Sequence, residues 1–152
     1  MRISAKADYA VRAGIALAQP GWEGPMKGDR IADAQGIPVR FLENILGELR
    51  NAGLVQSQRG TEGGYWLSRS ADQITIAEII RAVDGPLATV RGERPEDLDY
   101  LGGAQQLQDV WVALRANIRE VLETVTLHDI VTGDLPVPVS ELTGRPEVWE
   151  SH

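Results

Sequence analysis

The chain has 152 residues, of which 43% are hydrophobic and 24% are charged, and its formal net charge is −7 at pH 7. It contains no cysteine and only two histidines, which excludes disulfides, cysteine-ligated zinc or iron–sulfur clusters, and thiol chemistry. The length and apolar fraction suit one domain with a fair core and one projecting element. No apolar run approaches membrane-spanning length and no signal peptide is recognisable, so we expect a soluble, cytoplasmic protein without a metal site.

The charge is distributed unevenly along the chain. Residues 1–70 carry a net charge of +2, whereas residues 71–152 carry −9. A mildly basic segment can follow phosphates, while a strongly acidic segment is repelled by them. The distribution therefore favours an N-terminal half that faces nucleic acid.

The first predicted helix covers residues 3–18 and is rich in alanine, with Ser4 as its N-cap. Its buried side is predicted to begin at Ile3 and to continue through Ala7, Ala10, Gly14 and Leu17, and the small residues among these predict close packing on another helix. Lys6 is a candidate phosphate contact on this helix, although a lysine in solvent explains it equally well.

A short helix over residues 29–35, a glycine-containing turn and a second helix over residues 37–51 are typical of a helix-turn-helix. Lys27 and the free N–H groups around Gly28 lie at the start of the short helix. Such a position is a natural phosphate-binding site, because unpaired N–H groups and the helix dipole both favour an anion.

The second helix has an apolar face on one side, at Leu42, Ile45, Leu46 and Leu49. The opposite face carries Arg40, Glu43, Asn44, Gly47 and Asn51. Arginine can bind guanine, asparagine can bind adenine, and glutamate can accept a hydrogen bond from cytosine. A glycine in the middle of this face leaves room for a bulky partner. For this helix taken alone, an ordinary solvated face is the alternative interpretation.

Two predicted strands, residues 54–58 and 65–68, enclose a glycine-rich tip that contains Arg59, Gly60 and Gly63. Glycines allow positive φ and close backbone approach, and an arginine at such a tip suits a narrow minor groove. A plain hairpin turn is the alternative for the tip alone. A further helix, opened by a capping box at Thr75 and Glu78, ends near residue 84. Residues 1–84 are thus predicted to form a winged helix-turn-helix domain.

The second half is predicted to contain a loop, a long helix and a tail. Residues 85–103 lack periodicity and are interpreted as either a sensing loop or a solvated linker. Residues 104–131 hold the longest predicted helix, which predicts antiparallel pairing with a second chain; folding back on its own domain is the alternative. The apolar stripe of this helix comprises Leu107, Trp111, Leu114, Ile118, Val121, Leu122 and Val125. Residues 132–152 are expected to form a poorly ordered tail.

Several motifs, in this order, resemble the IscR/NsrR/CymR-type bacterial regulators of the Rrf family. They are residues 1–13, Gly36-Ile37-Pro38, Gly53-Leu54-Val55, Arg59-Gly60 with Gly63-Gly64-Tyr65, Asp84-Gly85-Pro86-Leu87, and Trp111 with Leu122. The resemblance covers about residues 1–131. It implies a dimeric transcription factor that is mainly α-helical, with a small β-hairpin wing and a long dimerisation helix. It also implies that Glu43 contacts bases and that Arg59 reaches the minor groove.

The chain departs from the family pattern where many members bind an iron–sulfur cluster. Those members carry three cysteines before the dimerisation helix, where this chain has Arg-Gly-Glu-Arg-Pro-Glu-Asp at residues 91–97. Asp8 matches the position of a fourth ligand in NsrR-like members. The resemblance therefore implies a cluster-free member, and no cofactor is expected. Any small-molecule effector is expected among Asp8, Tyr9, Arg12, Arg91, Tyr100 and Trp111.

Together these patterns predict a homodimeric, sequence-specific DNA-binding transcriptional regulator, acting as a repressor on a near-palindromic duplex site and without a membrane partner. The alternative is a protein-interaction module that uses the winged-helix scaffold without specific DNA binding. An enzyme is disfavoured, because the sequence shows no nucleophile–base pair and no metal cluster. The glycine-rich residues 59–64 are also not followed by a helix, as a nucleotide-binding loop requires.

Overall fold

A computed structural model describes all 152 residues of the chain. It contains seven α-helices and one antiparallel hairpin of two strands. In chain order the elements are α1 (Ala5–Leu17), α2 (Gly28–Gln35), α3 (Val39–Asn51), β1 (Val55–Gln58), β2 (Gly64–Leu67), α4 (Ile76–Asp84), α5 (Leu107–Leu122), α6 (Leu127–Thr132) and α7 (Val137–Thr143). This mainly helical architecture with a small hairpin confirms the predicted fold class. No helix is long and apolar enough to cross a membrane.

Helix α1 lies at the centre of the N-terminal half and contacts α2, α3 and α4. Its buried residues are small, which lets its neighbours approach closely: a Cβ atom on Gly14 would lie 3.1 Å from a methyl group of Ile79. Ser4 caps the helix as predicted, because its hydroxyl accepts a hydrogen bond from the Ala7 N–H. Ile3 was wrongly predicted to be buried. It precedes the cap and is 66% exposed.

The apolar face of α3 is fully buried, as its periodicity predicted. Leu42 and Leu46 pack with α2, while Ile45 and Leu49 belong to the cluster that includes residues of α4. Gly53 has a φ of 78° and ends the helix in the left-handed conformation. This packing fixes which side of α3 remains available to a partner.

Two helices of the second half begin with capping boxes. Thr75 and Glu78 form one at the start of α4, and Thr126 and Asp129 form the other at the start of α6. Burial alone would raise the pKa of Glu78, but hydrogen bonds from the Thr75 backbone and from Arg69 lower it below its usual value. The two helix starts lie side by side, since Thr75 and Thr126 form an antiparallel bridge.

Residues 85–103 contain two short 3-10 turns and pack against α5. Pro95 and Leu98 are buried. The side-chain amide of Gln108 donates to the carbonyl oxygens of Pro95, Glu96 and Leu98, at 3.3, 3.1 and 2.8 Å. The segment is therefore a packed connection rather than a solvated linker.

Helix α5 has no buried residue, although it is the longest helix of the chain. Ile118 and Leu122 pack against the core, and Val125 just beyond the helix is 7% exposed. At this end the apolar stripe thus packs on its own domain, which was the alternative to pairing with a second chain. Towards the other end, Val110 is 54% exposed. This helix consequently has an apolar side that the single chain does not cover.

The C-terminal segment differs from the expected poorly ordered tail, because residues 137–143 form α7 and residues 146–149 form a 3-10 turn. Pro136 is the N-cap residue of α7, and Pro138 lies in the first turn, where a missing N–H is tolerated. Helix α7 contacts α5.

Candidate nucleic-acid interface

The tip of the hairpin closes around glycines. Gly60 has a φ of 104° and Gly64 has a φ of 148°, values that side-chain-bearing residues rarely adopt. A Cβ atom on Gly64 would lie 2.6 Å from the Met26 carbonyl oxygen, because Met26 pairs with Tyr65 beside the hairpin. The tip is therefore held in a fixed shape, with Arg59 exposed upon it.

The outer face of α3 presents the predicted polar residues to solvent. Arg40, Glu43, Asn44 and Asn51 are exposed. Nothing lies within 4 Å of the position that a Cβ atom on Gly47 would take. Neither Arg40 nor Arg59 takes part in any of the ion pairs of the chain. Both guanidinium groups are thus free to bind an anionic partner.

A cleft of about 240 Å³ connects the start of α2, the first turns of α3 and the tip of the hairpin. Lys27 and Gly28 line it at the start of α2, Glu43 lines it from α3, and Gly60 and Gly63 line it from the tip. The Lys27 ammonium lies 3.5 Å from the Gly60 carbonyl oxygen, and no side chain caps the N-terminus of α2. Three separately predicted features therefore meet at one surface.

Lys6 does not share this arrangement. Its ammonium donates to Glu48 Oε1 at 2.7 Å, and each side chain is about one-third exposed. The second carboxylate oxygen of Glu48 is buried without a hydrogen-bond partner. Lys6 is consequently engaged in a contact between α1 and α3, and a phosphate would have to compete with Glu48 for it.

Two exposed apolar residues of α3 were not singled out from the sequence. Val39 is 44% exposed and Phe41 is 58% exposed, and the Phe41 ring lies 6.2 Å from the Tyr9 ring. Their position beside the leucine stripe was the available signal, because apolar residues outside the buried stripe of an amphipathic helix face solvent. Apolar side chains of this kind can contact the methyl group of thymine.

Comparison with known proteins identifies the family of the chain. Residues 3–133 match the family described as "Rrf2: iron-dependent transcriptional regulator". The chain belongs to the Rrf2 family. Rv1287 of Mycobacterium tuberculosis, provisionally named an HTH-type transcriptional regulator, is 50% identical over 99% of this chain and 94% of its own length. The HTH-type transcriptional regulator CymR of Bacillus subtilis is 36% identical over 87% of this chain and 91% of its own length.

Solved structures of Rrf2 proteins share the fold. The structure of CymR, described as the global cysteine regulator of B. subtilis, has a TM-score of 0.73 at 36% identity and covers 87% of this chain and 97% of its own. The structure of T. potens IscR has a TM-score of 0.69 at 32% identity and covers 100% of this chain and 93% of its own. The protein is thus a bacterial transcriptional regulator and not an enzyme, and the family expected from its motifs is confirmed.

The residues of this Rrf2 chain do not fit a cysteine-ligated iron centre. The chain has no cysteine, and nowhere do three or more His, Asp or Glu residues come together in a way that could hold a metal ion. In residues 91–97, where many family members carry the cluster cysteines, Glu96 pairs with Arg115 of α5. The chain therefore has no thiolate ligand for the iron that the family description names.

The predicted effector residues form two separate groups within one chain. Asp8 pairs with Arg12 at 3.0 Å, and Arg12 also donates to the Gln35 carbonyl and lies 5.2 Å from the Tyr9 ring. This first group lies on α1 and faces the helix-turn-helix.

The second group lies between the packed connection and α5. The Trp111 indole N–H donates to the Tyr100 hydroxyl at 3.0 Å, and the Arg91 guanidinium lies 5.9 Å from the Tyr100 ring. No hydrogen bond, ion pair or cation–π contact joins the two groups within one chain.

Proposed function

We propose that the protein is a homodimeric, sequence-specific DNA-binding repressor that works without an iron–sulfur cluster. The observation that carries this proposal is the single cleft that joins the start of α2, the outer face of α3 and the glycine tip. A helix inserted in a major groove and a wing in the adjoining minor groove would both face this surface.

Within this surface, α3 reads the bases. Glu43 accepts from cytosine, while Arg40 and Asn44 beside it bind guanine and adenine edges. The open space at Gly47 lets the helix approach the groove closely. The exposed positions of these residues support this division of roles, as does the resemblance to regulators that use the equivalent of Glu43.

The remaining residues of the surface hold the backbone of the duplex. Arg59 reaches into the minor groove, and the N–H groups at Gly28 donate hydrogen bonds to a phosphate beside Lys27. The glycines at 60 and 63 keep side chains away from the sugar-phosphate backbone. Such contacts set affinity and register and carry little sequence information.

The dimer forms through α5. None of its residues is buried in one chain, and an apolar groove of about 250 Å³ lies beside it, lined in part by Ile3, Leu87 and Ile118. The same helix of a second chain would cover this surface around a two-fold axis, gaining roughly 1.5–3 kcal/mol for each large apolar side chain that becomes fully buried. Two α3 helices would then meet a near-palindromic site. A regulator of this kind acts on the chromosome, so we place it in the cytoplasm.

The experiment is selection of random duplex DNA on the purified full chain at near-physiological salt, followed by sequencing. An enriched inverted repeat is the expected result. Glu43→Ala should relax the base preference more than it weakens total binding, whereas Glu120→Ala, which removes an exposed carboxylate on α5, should leave the preference unchanged. Failure to enrich any sequence would contradict the proposal and favour a protein-interaction role.

A second variant separates the wing from the recognition helix. Arg59→Ala should cost about 1–3 kcal/mol of binding free energy and reduce the salt dependence of binding by about one counterion. Arg145→Ala, which removes an exposed arginine of the C-terminal segment, is the matched control. Equal binding and equal salt dependence in both variants would show that the wing is not part of the interface.

A further inference from the structure

The arginines of the acidic half are concentrated at one place. Residues 71–152 contain six arginines, and four of them line a single cleft of about 480 Å³: Arg81, Arg94, Arg115 and Arg119. The cleft lies between the end of α4, the start of the packed connection and the side of α5. None of its lining residues belongs to the nucleic-acid interface or to either group of predicted effector residues.

Two carboxylates neutralise only part of this charge. Glu123 accepts from Arg81 at 2.5 Å and from Arg119 at 3.0 Å. Glu96 pairs with Arg115, and Arg94 takes part in no ion pair. Four guanidinium groups against two carboxylates leave a surplus of two positive charges in a half of the chain that is otherwise strongly acidic.

Donor capacity also remains unused. Each guanidinium carries five N–H donors in a planar fork. The ion pairs engage Nη2 of Arg81, Nη1 of Arg115 and Nε of Arg119. Arg94 contributes a fourth guanidinium that takes part in none of these ion pairs.

The wall of the cleft is rigid and locally strained. Ala88 lies in it with a φ of 53°, a left-handed conformation that alanine rarely adopts. Leu87 and Pro95, on either side, are buried and hold the backbone in place. Strain of this kind persists where the surrounding structure enforces it, and it is concentrated at ligand sites.

We propose that this cleft binds a small organic anion with two or more negatively charged carboxylate or phosphate groups. The planar guanidinium fork binds both carboxylates and phosphates, so the proposal covers both kinds of anion. Arg94 and the unused donors of Arg115 and Arg119 supply the contacts. The ligand would connect α4, which packs on α1 and α3, with α5. The inference does not depend on the proposed DNA site.

The test is calorimetric titration of the full chain with citrate and with pyrophosphate, at constant ionic strength, and with acetate as a monovalent control. We expect saturable binding of at least one multivalent probe, at one site per chain, and none of acetate. Binding of citrate alone would assign a carboxylate ligand, and binding of pyrophosphate alone a phosphate ligand. Saturable binding of neither would overturn the proposal.

Two variants connect the binding to the cleft. Arg94→Gln should weaken binding about tenfold or more, because it removes a charged donor, and it should unfold at the wild-type temperature, since Arg94 has no ion pair to lose. Glu96→Gln should strengthen binding, because it frees Arg115 and removes a competing carboxylate. Arg145→Gln should change nothing. Equal affinity in the Arg94→Gln and Arg145→Gln variants, or weaker binding after Glu96→Gln, would contradict the assignment.

Discussion

A Cβ atom placed on Gly63 would lie 2.1 Å from the carbonyl oxygen of Gln58. The obstacle is backbone, so no side-chain rotation can relieve it. The two residues stand at opposite ends of the turn, where Gln58 also pairs with Gly64 in the last register position of the hairpin. The shape of the wing, and with it the position of Arg59, therefore depends on the absence of a side chain at residue 63.

Gly63→Ala should consequently distort the wing and leave the helical core intact. We expect a loss of DNA affinity similar to that of Arg59→Ala, about 1–3 kcal/mol, measured by titration of a labelled duplex. Gly103→Ala is the control, because a Cβ atom there meets nothing within 4 Å and its φ is not in the left-handed region. A Gly63→Ala variant with wild-type affinity would show that the wing does not contact DNA.

Gly47→Ala should act in opposite directions on stability and on binding. Gly47 lies inside α3 with open space around its Cβ position, so alanine should stabilise the fold by roughly 0.5–1 kcal/mol in thermal or urea unfolding. The same methyl group would stand in the middle of the face that approaches the bases. DNA affinity should fall. A stabilised variant with unchanged DNA affinity would show that this face of α3 does not enter the major groove.

Val110→Asp tests the uncovered side of α5. Val110 is 54% exposed, so a single chain should tolerate the carboxylate, whereas a dimer would bury it without a partner. We expect light scattering to show a monomer at concentrations where the wild type is a dimer. Ala116→Asp, at an exposed residue opposite the centre of the apolar stripe, should remain dimeric. If both variants keep the wild-type mass, α5 is not the interface.

Glu123 should contribute a pH-dependent part of the stability. The hydrogen bond from Arg81, aided by Arg119, holds the pKa of Glu123 below its usual value. The ionised carboxylate therefore stabilises the fold above the unfolded pKa of about 4.3, and this contribution is lost as the pH falls through the lower folded value. The melting temperatures of the wild type and Glu123→Gln should differ at pH 6 and converge as the pH falls through the lowered pKa of Glu123. A difference in melting temperature that stays constant with pH would show that the ion pair between Arg81 and Glu123 is not its source.

Local patterns were sufficient to predict the helix-turn-helix. The leucine periodicity of α3, the cap at Ser4, the glycine at the end of α3 and the capping box at Thr75 each act within one or two helical turns, and the structure confirms all four. The same reasoning failed at Ile3. This residue continues the apolar spacing of α1 along the sequence, but it precedes the N-cap Ser4 and therefore lies outside the helix.

The arginine cleft lay beyond such reasoning. It is formed by three segments that only the fold brings together, so no spacing in the sequence relates Arg81 to Arg94 or to Arg115. The packing of residues 85–103 could not be predicted either. Gln108 holds this segment through three backbone carbonyl groups, and backbone groups are the same whatever the side chain. Helix α7 was missed for another reason: its prolines suggested disorder, although they occupy the start of a helix, where proline is compatible.

The bridge between Thr75 and Thr126 has an evolutionary consequence. The Leu127 N–H donates to the Ile74 carbonyl, and the Ile76 N–H donates to the Val125 carbonyl, each at 3.0 Å, so the chain returns after α5 to the point where α4 begins. Both attachment points of the intervening segment are fixed on the domain that carries α3. Within that segment α4 belongs to the core, whereas the connection from residue 85 to residue 103 lies outside the helix-turn-helix. Substitutions in this connection can therefore change its charges or ligand residues while α3 keeps its position.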